Sequence, residues 1–523
     1  VFVKQFLTRN ARKPGFSVLE DQFAYPYTIE QTRMNTDPFV RKSMKLWNKS
    51  NYDQLTGYTK RPNLEKALET LDGFAHHSKR FADVDERYKP SFEYAIAEMR
   101  RTFIPSESLH RYALSESFDE MNLNSAAGFS FPGKKKSEVV EELFDLASYI
   151  QHRVQRGIKC YAPPCKLALR GHLSEMDKDG KPSKTRPAWV FPGEVTGLEG
   201  KWALPFYEHL EKCVKAVHFG DQSMIRLAKL LNSGLMDHDE MTEMTIDWRR
   251  FDTLAMNYFI DAAFDAIWDS FDNRYAMVDG DLVYGGEMMV EKNRYLFDWL
   301  RSYFKRTKLM LPDGTVIQKT SGIPSGSFFT QAIGSMVNFM MIKALAHHNK
   351  WSIRDLTILG DDSNFKLVCC RPPHPKELQQ QAWDMFGASL QPEKLRIATK
   401  QSERKFLGYN MHGYRYVRDT VDWFRMVLYA ERDVQSLEQS ASRVMAYYLL
   451  GGCHDEDYSS FFWDYFQRYP GVRTTTLRPT KAISRLFKYV FRLKTDILLV
   501  PDPFKLDVFS VGTCLSLGDN PFK

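Results

Sequence analysis

The sequence predicts a mixed α/β (α+β) protein with more than one subdomain, and three observations carry that prediction. Two β-prone runs, 356–359 and 365–368, flank a Gly360-Asp361-Asp362-Ser363 turn, the pattern of a β-hairpin. Met244-Thr245-Ile246 reads as a strand, and from Phe251 onward apolar residues at 255, 259, 262, 263, 266 and 267 trace one helical face. Beyond about residue 420 the pattern is helical: 423–450 to a Gly451-Gly452 stop, then 458–469 and 480–495.

The bulk numbers bound the answer. A chain of 523 residues, 43% hydrophobic and 14% aromatic, can bury a large core. Lys and Arg total 72 against 65 Asp and Glu, a net charge of +7 that suits a polyanion partner without requiring one. The seven cysteines (Cys160, Cys165, Cys213, Cys369, Cys370, Cys453 and Cys514) are scattered, with no C-x-x-C pair. They predict free thiols in a reducing compartment and give no case for zinc. No run approaches the ~18 apolar residues of a membrane span, and no signal-peptide pattern opens the sequence, so no membrane partner is expected.

Residues 1 to about 110 mix aromatic and charged side chains, with a helix expected at 90–102, and read as an arm packed on something larger. In Asn124-Ser125-Ala126-Ala127-Gly128, small residues let the backbone approach another surface, and Lys134, Lys135 and Lys136 supply phosphate-neutralising charge. A solvated face would use the same lysines. Lys166 and Arg170 on one side of a polar turn at 177–180, and Lys184 and Arg186 on the other, place basic groups on two arms of a hairpin. Asp247 ends the Thr245-Ile246 strand and Asp252 starts the next helix, which puts two carboxylates at one rim of a sheet; Asp252 serves equally well as an N-cap.

A polar, aromatic-rich insertion fills about 273–318 and ends in a hairpin around Asp313-Gly314. In Ser321-Gly322-Ile323-Pro324-Ser325-Gly326-Ser327, two glycines around a proline shape a loop that runs into a helix. Amides in that position suit phosphate or sugar contacts. Thr330, Gly334 and Asn338 share one helical face, a stripe that suits close helix contact as well as ligand contact. Asp361 and Asp362 sit together on the Gly360 turn. Like charges about 4 Å apart repel by roughly 4 kcal/mol at an effective dielectric near 20, so the pair invites a cation, although a solvated turn would use the same residues. Hard oxygen ligands select Mg²⁺ or Mn²⁺. A helix is expected at 375–386, a strand pair around Phe406-Leu407-Gly408-Tyr409, and a basic face on the 480–495 helix through Lys481, Arg485, Lys488, Arg492 and Lys494.

In this order and at these separations, the stretch from about 120 to 410 resembles the ordered motifs of viral RNA-dependent RNA polymerases. Asp247 and Asp252 resemble motif A, Ser325-Gly326 with Thr330 motif B, and Gly360-Asp361-Asp362 motif C. Lys394 falls in the motif D place and Phe406-Leu407-Gly408 in the motif E place. Lys166, Arg170, Lys184 and Arg186 match motif F, and Ser125-Ala126-Ala127-Gly128 motif G. The wording of Gly322-Ile323-Pro324-Ser325-Gly326-Ser327-Phe328-Phe329-Thr330-Gln331 is most similar to the partitivirus group of double-stranded RNA viruses, with picobirnaviruses next. One position departs: many relatives carry Asn four residues after the motif B Thr, where this chain has Gly334 and the nearest Asn is Asn338.

The resemblance implies a closed right hand, with an arm (1–110), fingers (111–240), palm (241–272 and 319–420), a fingers insertion (273–318) and a helical thumb (421–523). It implies two Mg²⁺ or Mn²⁺ ions held by Asp247, Asp361 and Asp362, and a leaving-group acid at Lys394. Lys166, Arg170, Lys184 and Arg186 would grip the incoming NTP, and Asp252, Ser325, Gly326, Thr330 and Asn338 would surround its sugar. Ser125, Ala126, Gly128 and Lys134 to Lys136 would follow the RNA. Template and product RNA, NTPs and, by analogy, a capsid protein are the implied partners, inside a virion or in the host cytoplasm. Two rival classes are a reverse transcriptase, whose family usually carries an aromatic-x-Asp-Asp hairpin against Gly360-Asp361-Asp362 here, and an inactive RNA-binding structural protein, against which the retained Asp247, Asp361, Lys184 and Arg186 argue.

Overall fold

The carboxylate-bearing hairpin forms the middle of a sheet. Strands Ser352–Leu359 and Asp362–Val368 pair antiparallel with Leu359 opposite Asp362, so only Gly360 and Asp361 make the turn. Gly360 takes φ +61°, the left-handed conformation that a two-residue hairpin turn needs and glycine adopts freely. The second strand therefore begins at Asp362, three residues earlier than its β-prone run suggests. On its other side, Asp362–Val368 pairs with Met241–Arg249, whose far edge takes both Ser389–Leu390 and Arg396–Ala398. Buried Met244, Ile246, Trp248, Phe365 and Leu367 tie this sheet into the main core with helices Lys89–Phe103, Asn257–Asp269 and Thr330–His348.

This computed structural model describes residues 1–10, 13–20, 24–29, 34–218, 241–368, 374–390, 395–398, 403–412, 415–469, 472, 476–477 and 498–499. Lys394 and the expected 480–495 helix lie outside the described residues. Cys160, Cys165, Cys213 and Cys453 are free thiols. Among the described residues no helix is long and apolar enough to cross a membrane.

A second sheet of five strands runs in the order Phe16–Val18, Val316–Lys319, Lys308–Met310, Cys165–Gly171, Thr185–Val190. Its last two strands are the arms of the expected basic hairpin, with Arg170 opposite Arg186. Helix Gly193–Cys213 follows, buried along most of its length.

Two helices differ from their sequence pattern. The helix expected from Phe251 is broken into Phe251–Leu254 and Asn257–Asp269, with extended backbone at Ala255 and Met256. The Asp252 carbonyl, which a continuing helix would offer to residue 256, instead accepts the Ile323 amide at 2.7 Å. The helical run expected at 423–450 is likewise two helices, Thr420–Leu428 and Leu437–Leu449. The 273–318 insertion also hides an 18-residue helix, Met288–Lys305, which buries Leu296, Phe297, Leu300 and Phe304. Its exposed charged residues outweigh that stripe in composition, which is why the segment reads as polar.

A separate core gathers Trp423, Phe424, Val427, Tyr458, Phe461, Phe462 and Tyr465 from the C-terminal helices, and Val40 and Met44 from helix Pro38–Trp47 join it. The first helix, Phe2–Asn10, sends Val3 and Phe6 into the main core instead. The N-terminal region thus reaches both bodies. Its joint to the C-terminal one is Asp37, fully buried, which caps its own helix through the Phe39 and Val40 amides (both 3.1 Å). The same carboxylate accepts from Ser440 Oγ (2.8 Å) and Arg443 Nη1 (2.6 Å). Asp37→Ala removes a cap and leaves Arg443 beside a vacated site, so it should cost about 3 kcal/mol or more. Urea unfolding would show an earlier transition, and protease would cut sooner near residues 34–47; an unchanged midpoint and cleavage pattern would refute the joint.

Candidate active site

Asp247 and Asp362 are direct cross-strand partners, and Asp361 occupies the adjoining turn. Directly opposed residues on an antiparallel pair have Cβ atoms about 4.5–5.5 Å apart, so two like charges meet at the sheet rim. Asp252 stands one helical turn beyond the end of the Asp247 strand. Asp252 and Asp361 are solvent-accessible, although the surrounding protein shields their carboxyls. The Asp252 carboxyl is pushed up to about 7, by burial first and then by the charge of Asp361. The Asp362 carboxyl rises to about 6, by burial and then by Asp361 and Asp247. Asp361 is raised as well, by burial foremost and then by Asp247. Lys184 and Arg186 pull Asp252 and Asp361 the other way, so the two cations of the basic hairpin act on the acidic rim.

The Thr330–His348 helix buttresses the turn. Ser335 Oγ accepts the Gly360 amide at 3.0 Å, and Asn338 Nδ2 donates to the Gly360 carbonyl at 2.9 Å. Asn338 Oδ1 accepts the Trp248 indole N–H at 2.8 Å, and the side chain is fully buried. Asn338 therefore departs from the expectation of a nucleotide contact: its amide is committed at both ends to shaping the motif C turn. Gly334 explains itself by proximity. A Cβ there would already stand 3.8 Å from the Gly360 Cα, so a larger side chain would be driven at the turn.

Ser325 Oγ donates to the Pro187 carbonyl at 3.4 Å, and Thr330 Oγ1 donates to the Pro324 carbonyl at 2.5 Å while accepting from the Gly326 amide at 3.4 Å. Gly326 is pressed against the strand that carries Arg186; a Cβ would fall 2.0 Å from the Trp189 carbonyl. Ser325, Gly326 and Thr330 are thus gathered beside Asp252 and the basic hairpin. Other expected residues face elsewhere. Arg170 reaches Glu431 at 3.2 Å, an exposed pair, and Lys166 lies over the Tyr27 ring at 4.2 Å. Gly128 is buried at φ +95° against Phe191 and Pro192, while Ser125 Oγ donates to the Asn122 carbonyl and Ala126 is exposed. Lys134 and Lys135 are exposed, but Lys136 turns inward, is 6% exposed and has its pKa lowered to about 8 by burial. A phosphate contact through Lys136 is a correction to make: its ammonium serves buried Glu199 and Glu194, not the surface.

One buried ion pair lies outside the expected site residues. Glu243, on the Asp247 strand, takes Arg404 Nε at 2.6 Å and Asn364 Nδ2 at 2.7 Å, with Glu243 and Arg404 both essentially inaccessible. Arg404 directly precedes strand Lys405–Phe406, so the pair ties the palm sheet to the motif E hairpin. Only the alternation along Met241–Arg249, which puts Glu243 on the face of Asp247, hints at it.

Among the described residues no three His, Cys, Asp or Glu side chains close into a ligand shell as they stand. The donor chemistry nonetheless fits a hard divalent cation. Three carboxylates share one rim, and two of them hold protons more tightly than a solvated carboxylate because burial and one another's charge outweigh the pull of the basic hairpin.

A family model described as viral RNA-dependent RNA polymerase matches residues 30–469. The chain is 28% identical over 279 residues to the RNA-directed RNA polymerase of Cryptosporidium parvum virus 1 (strain KSU-1), covering 50% of this chain and 47% of that protein. It is 23% identical over 353 residues to the RNA-directed RNA polymerase of Atkinsonella hypoxylon virus (isolate 2H), covering 58% and 50%. The matched stretch thus spans about half the length of these relatives. The fold is similar to the crystal structure of an insertion-loop deletion mutant of a human picobirnavirus RNA-dependent RNA polymerase, with a TM-score of 0.63 at 14% identity, covering 89% of this chain and 93% of that one. The right-hand fold expected from the motifs is the fold observed.

Because the rim carboxyls hold protons, a divalent cation must displace them on binding, and its affinity falls as pH drops. With Asp362 at about 6, its protonation alone should weaken Mn²⁺ binding about tenfold between pH 7.5 and pH 5. The same raised values mean that the metal-free fold loses stability as pH climbs from the ordinary carboxylate range through about 6 to 7, where folded carboxyls give up protons that they bind better than the unfolded chain does. Calorimetric titration with Mn²⁺ in buffers of differing ionisation enthalpy measures the protons released. Affinity independent of pH, with no proton release, would contradict the site.

Proposed function

This chain belongs to the viral RNA-dependent RNA polymerase family, and we propose that it copies RNA templates from NTPs as the polymerase of a double-stranded RNA virus. The observation that carries the reading is the pairing of Asp247 with Asp362, with Asp361 on the adjoining turn and Lys184 and Arg186 acting on the same rim. Family membership implies RNA, NTPs and divalent metal ions; two Mg²⁺ or Mn²⁺ ions held by Asp247, Asp361 and Asp362 are our finer reading. Cations bound there would favour the ionised primer 3′-hydroxyl and offset the charge of the triphosphate.

The chain's own residues would do the rest. Arg186 offers a planar fork and Lys184 a point charge to the phosphates. A cavity of about 720 Å³ lined by Lys79, Arg249, Arg250, Thr253 and Trp383 lies beside the turn bearing Asp252, and its cations suit a triphosphate. Asp252, Ser325 and Thr330 would test the ribose, and Lys394, which lies outside the described residues, would protonate the leaving pyrophosphate. The exposed Lys134 and Lys135, near Ser125 and Ala126, would follow the template backbone. A capsid protein as partner, and the particle or host cytoplasm as location, complete the proposal.

Primer extension on an RNA template, with NTPs against dNTPs, tests it. Asp361→Asn keeps the turn but removes a charge, and should cost at least about 2.7 kcal/mol at the transition state, roughly a hundredfold in rate. Near-normal rates from the folded variant would end the metal assignment, and preference for dNTPs would end the RNA polymerase reading.

Sugar choice has its own test. A site built to hydrogen-bond a hydroxyl leaves polar groups unpaired when that hydroxyl is missing. Asp252→Ala should therefore lower kcat/KM for ATP far more than for dATP. The N-cap role that the sequence also allowed is not seen, since Arg250 holds the cap position and no side chain caps this helix, so an unchanged ratio would remove Asp252 from the site.

A further inference from the structure

The Ser321–Phe329 loop is anchored at both ends by buried charges that lie outside the acidic rim. At its start, the fully buried Lys319 donates to the carbonyls of Phe304 (2.7 Å), Lys305 (3.0 Å) and Gly322 (2.8 Å). Ser321 Oγ accepts the Ser78 amide at 3.1 Å, and the Ile323 amide donates to the Asp252 carbonyl. At its end, Glu199 of helix Gly193–Cys213, also fully buried, accepts Ser327 Oγ–H at 2.7 Å on one carboxylate oxygen and the Phe328 amide at 2.8 Å on the other. About two turns further along that helix, Tyr207 donates to the Phe328 carbonyl at 2.6 Å and accepts the Ala332 amide at 3.0 Å. What remains between the anchors is an arch of three residues, Pro324, Ser325 and Gly326.

A buried carboxylate is expensive unless hydrogen-bonded, and Glu199 spends both oxygens on this one loop. It touches no part of the acidic rim, and Lys136 is the cation that eases its burial. Its donors, Ser327 and Phe328, lie just before the Thr330–His348 helix, so its position sets where that helix begins relative to the arch.

We propose that Glu199 is a positioning residue for sugar selection: by fixing Ser327 and Phe328, it holds Ser325 and Thr330 in the arrangement that tests the ribose. The inference rests on the polymerase reading above. It assigns a role in fidelity to a fingers-helix residue that makes no substrate contact.

Two variants test it. Glu199→Gln keeps the volume, but the amide nitrogen that replaces one oxygen cannot accept from a donor, so one of the two contacts is lost. Ser327→Ala removes the Ser327 contact from the loop side, together with the hydrogen bond that Ser327 Oγ accepts from the Phe329 amide (3.0 Å). Each should lower the ratio of kcat/KM for ATP over dATP about tenfold, as expected for loss of a hydrogen bond to a charged buried group. Each should also speed hydrogen exchange at the amides of residues 328–330, and the double variant should do little more than either single one. An active, selective wild type whose variants keep its ratio, or lose ATP and dATP use equally, would overturn this inference alone. A wild type that incorporates NTPs no better than dNTPs would instead overturn the polymerase reading, and this inference with it.

Discussion

The register that sets Asp247 opposite Asp362 is the constraint on which the site depends. Sheets ordinarily avoid like charges in directly opposed positions, because each destabilises the other. Here the opposition is enforced by the ladder from Met241 to Asp247 against Val368 to Asp362, whose other members are buried apolar or hydrogen-bonded polar residues. A slip by one residue would turn every side chain to the opposite face. The core therefore fixes the carboxylates where they repel, and the raised affinities of Asp361 and Asp362 for protons record the cost.

Other parts of the molecule make that arrangement rigid. Ser335 and Asn338 hold Gly360 at its amide and carbonyl, so the turn cannot relax to separate Asp361 from Asp362. Glu243 and Arg404 lock the same strand to the following hairpin from within the core. The Asp252 carbonyl is captured by Ile323, which breaks its helix after one turn and couples the Ser321–Phe329 loop to the acidic rim. Rigidity at such a rim has a physical use: donors and charges that are already in place need not reorganise when charge develops in the reaction.

The hand is closed by its own chain ends. Helix Pro38–Trp47 belongs to the C-terminal core while Phe2–Asn10 belongs to the main one, and Arg170 meets Glu431 across the same divide. The exposed Arg170 pair contributes little by itself. Buried Asp37, with four hydrogen bonds, is the stronger tie. Because both bodies are joined through one N-terminal segment, opening the cleft means undocking that segment or bending within it.

The sequence by itself determined what local chemistry can determine. The Gly360 turn, the Pro375–Phe386 helix with its left-handed Gly387 stop, the basic hairpin and the order of the motifs were legible because turn residues, apolar period and caps act over a few positions. Residue type also named the acidic rim, since carboxylates at strand ends repel whatever surrounds them. Only the tertiary structure decided which way polar side chains point and who meets them. Lys136 and Asn338 look like ligand contacts in one dimension and are buried supports in three. Glu199, Arg404 and Lys319 carry no local signal, because a buried charge is defined by partners that lie tens to more than a hundred residues away or by backbone carbonyls with no side-chain identity. The broken Phe251 helix belongs to the same class: its apolar period is continuous, and a single amide from Ile323, some 70 residues on, interrupts it.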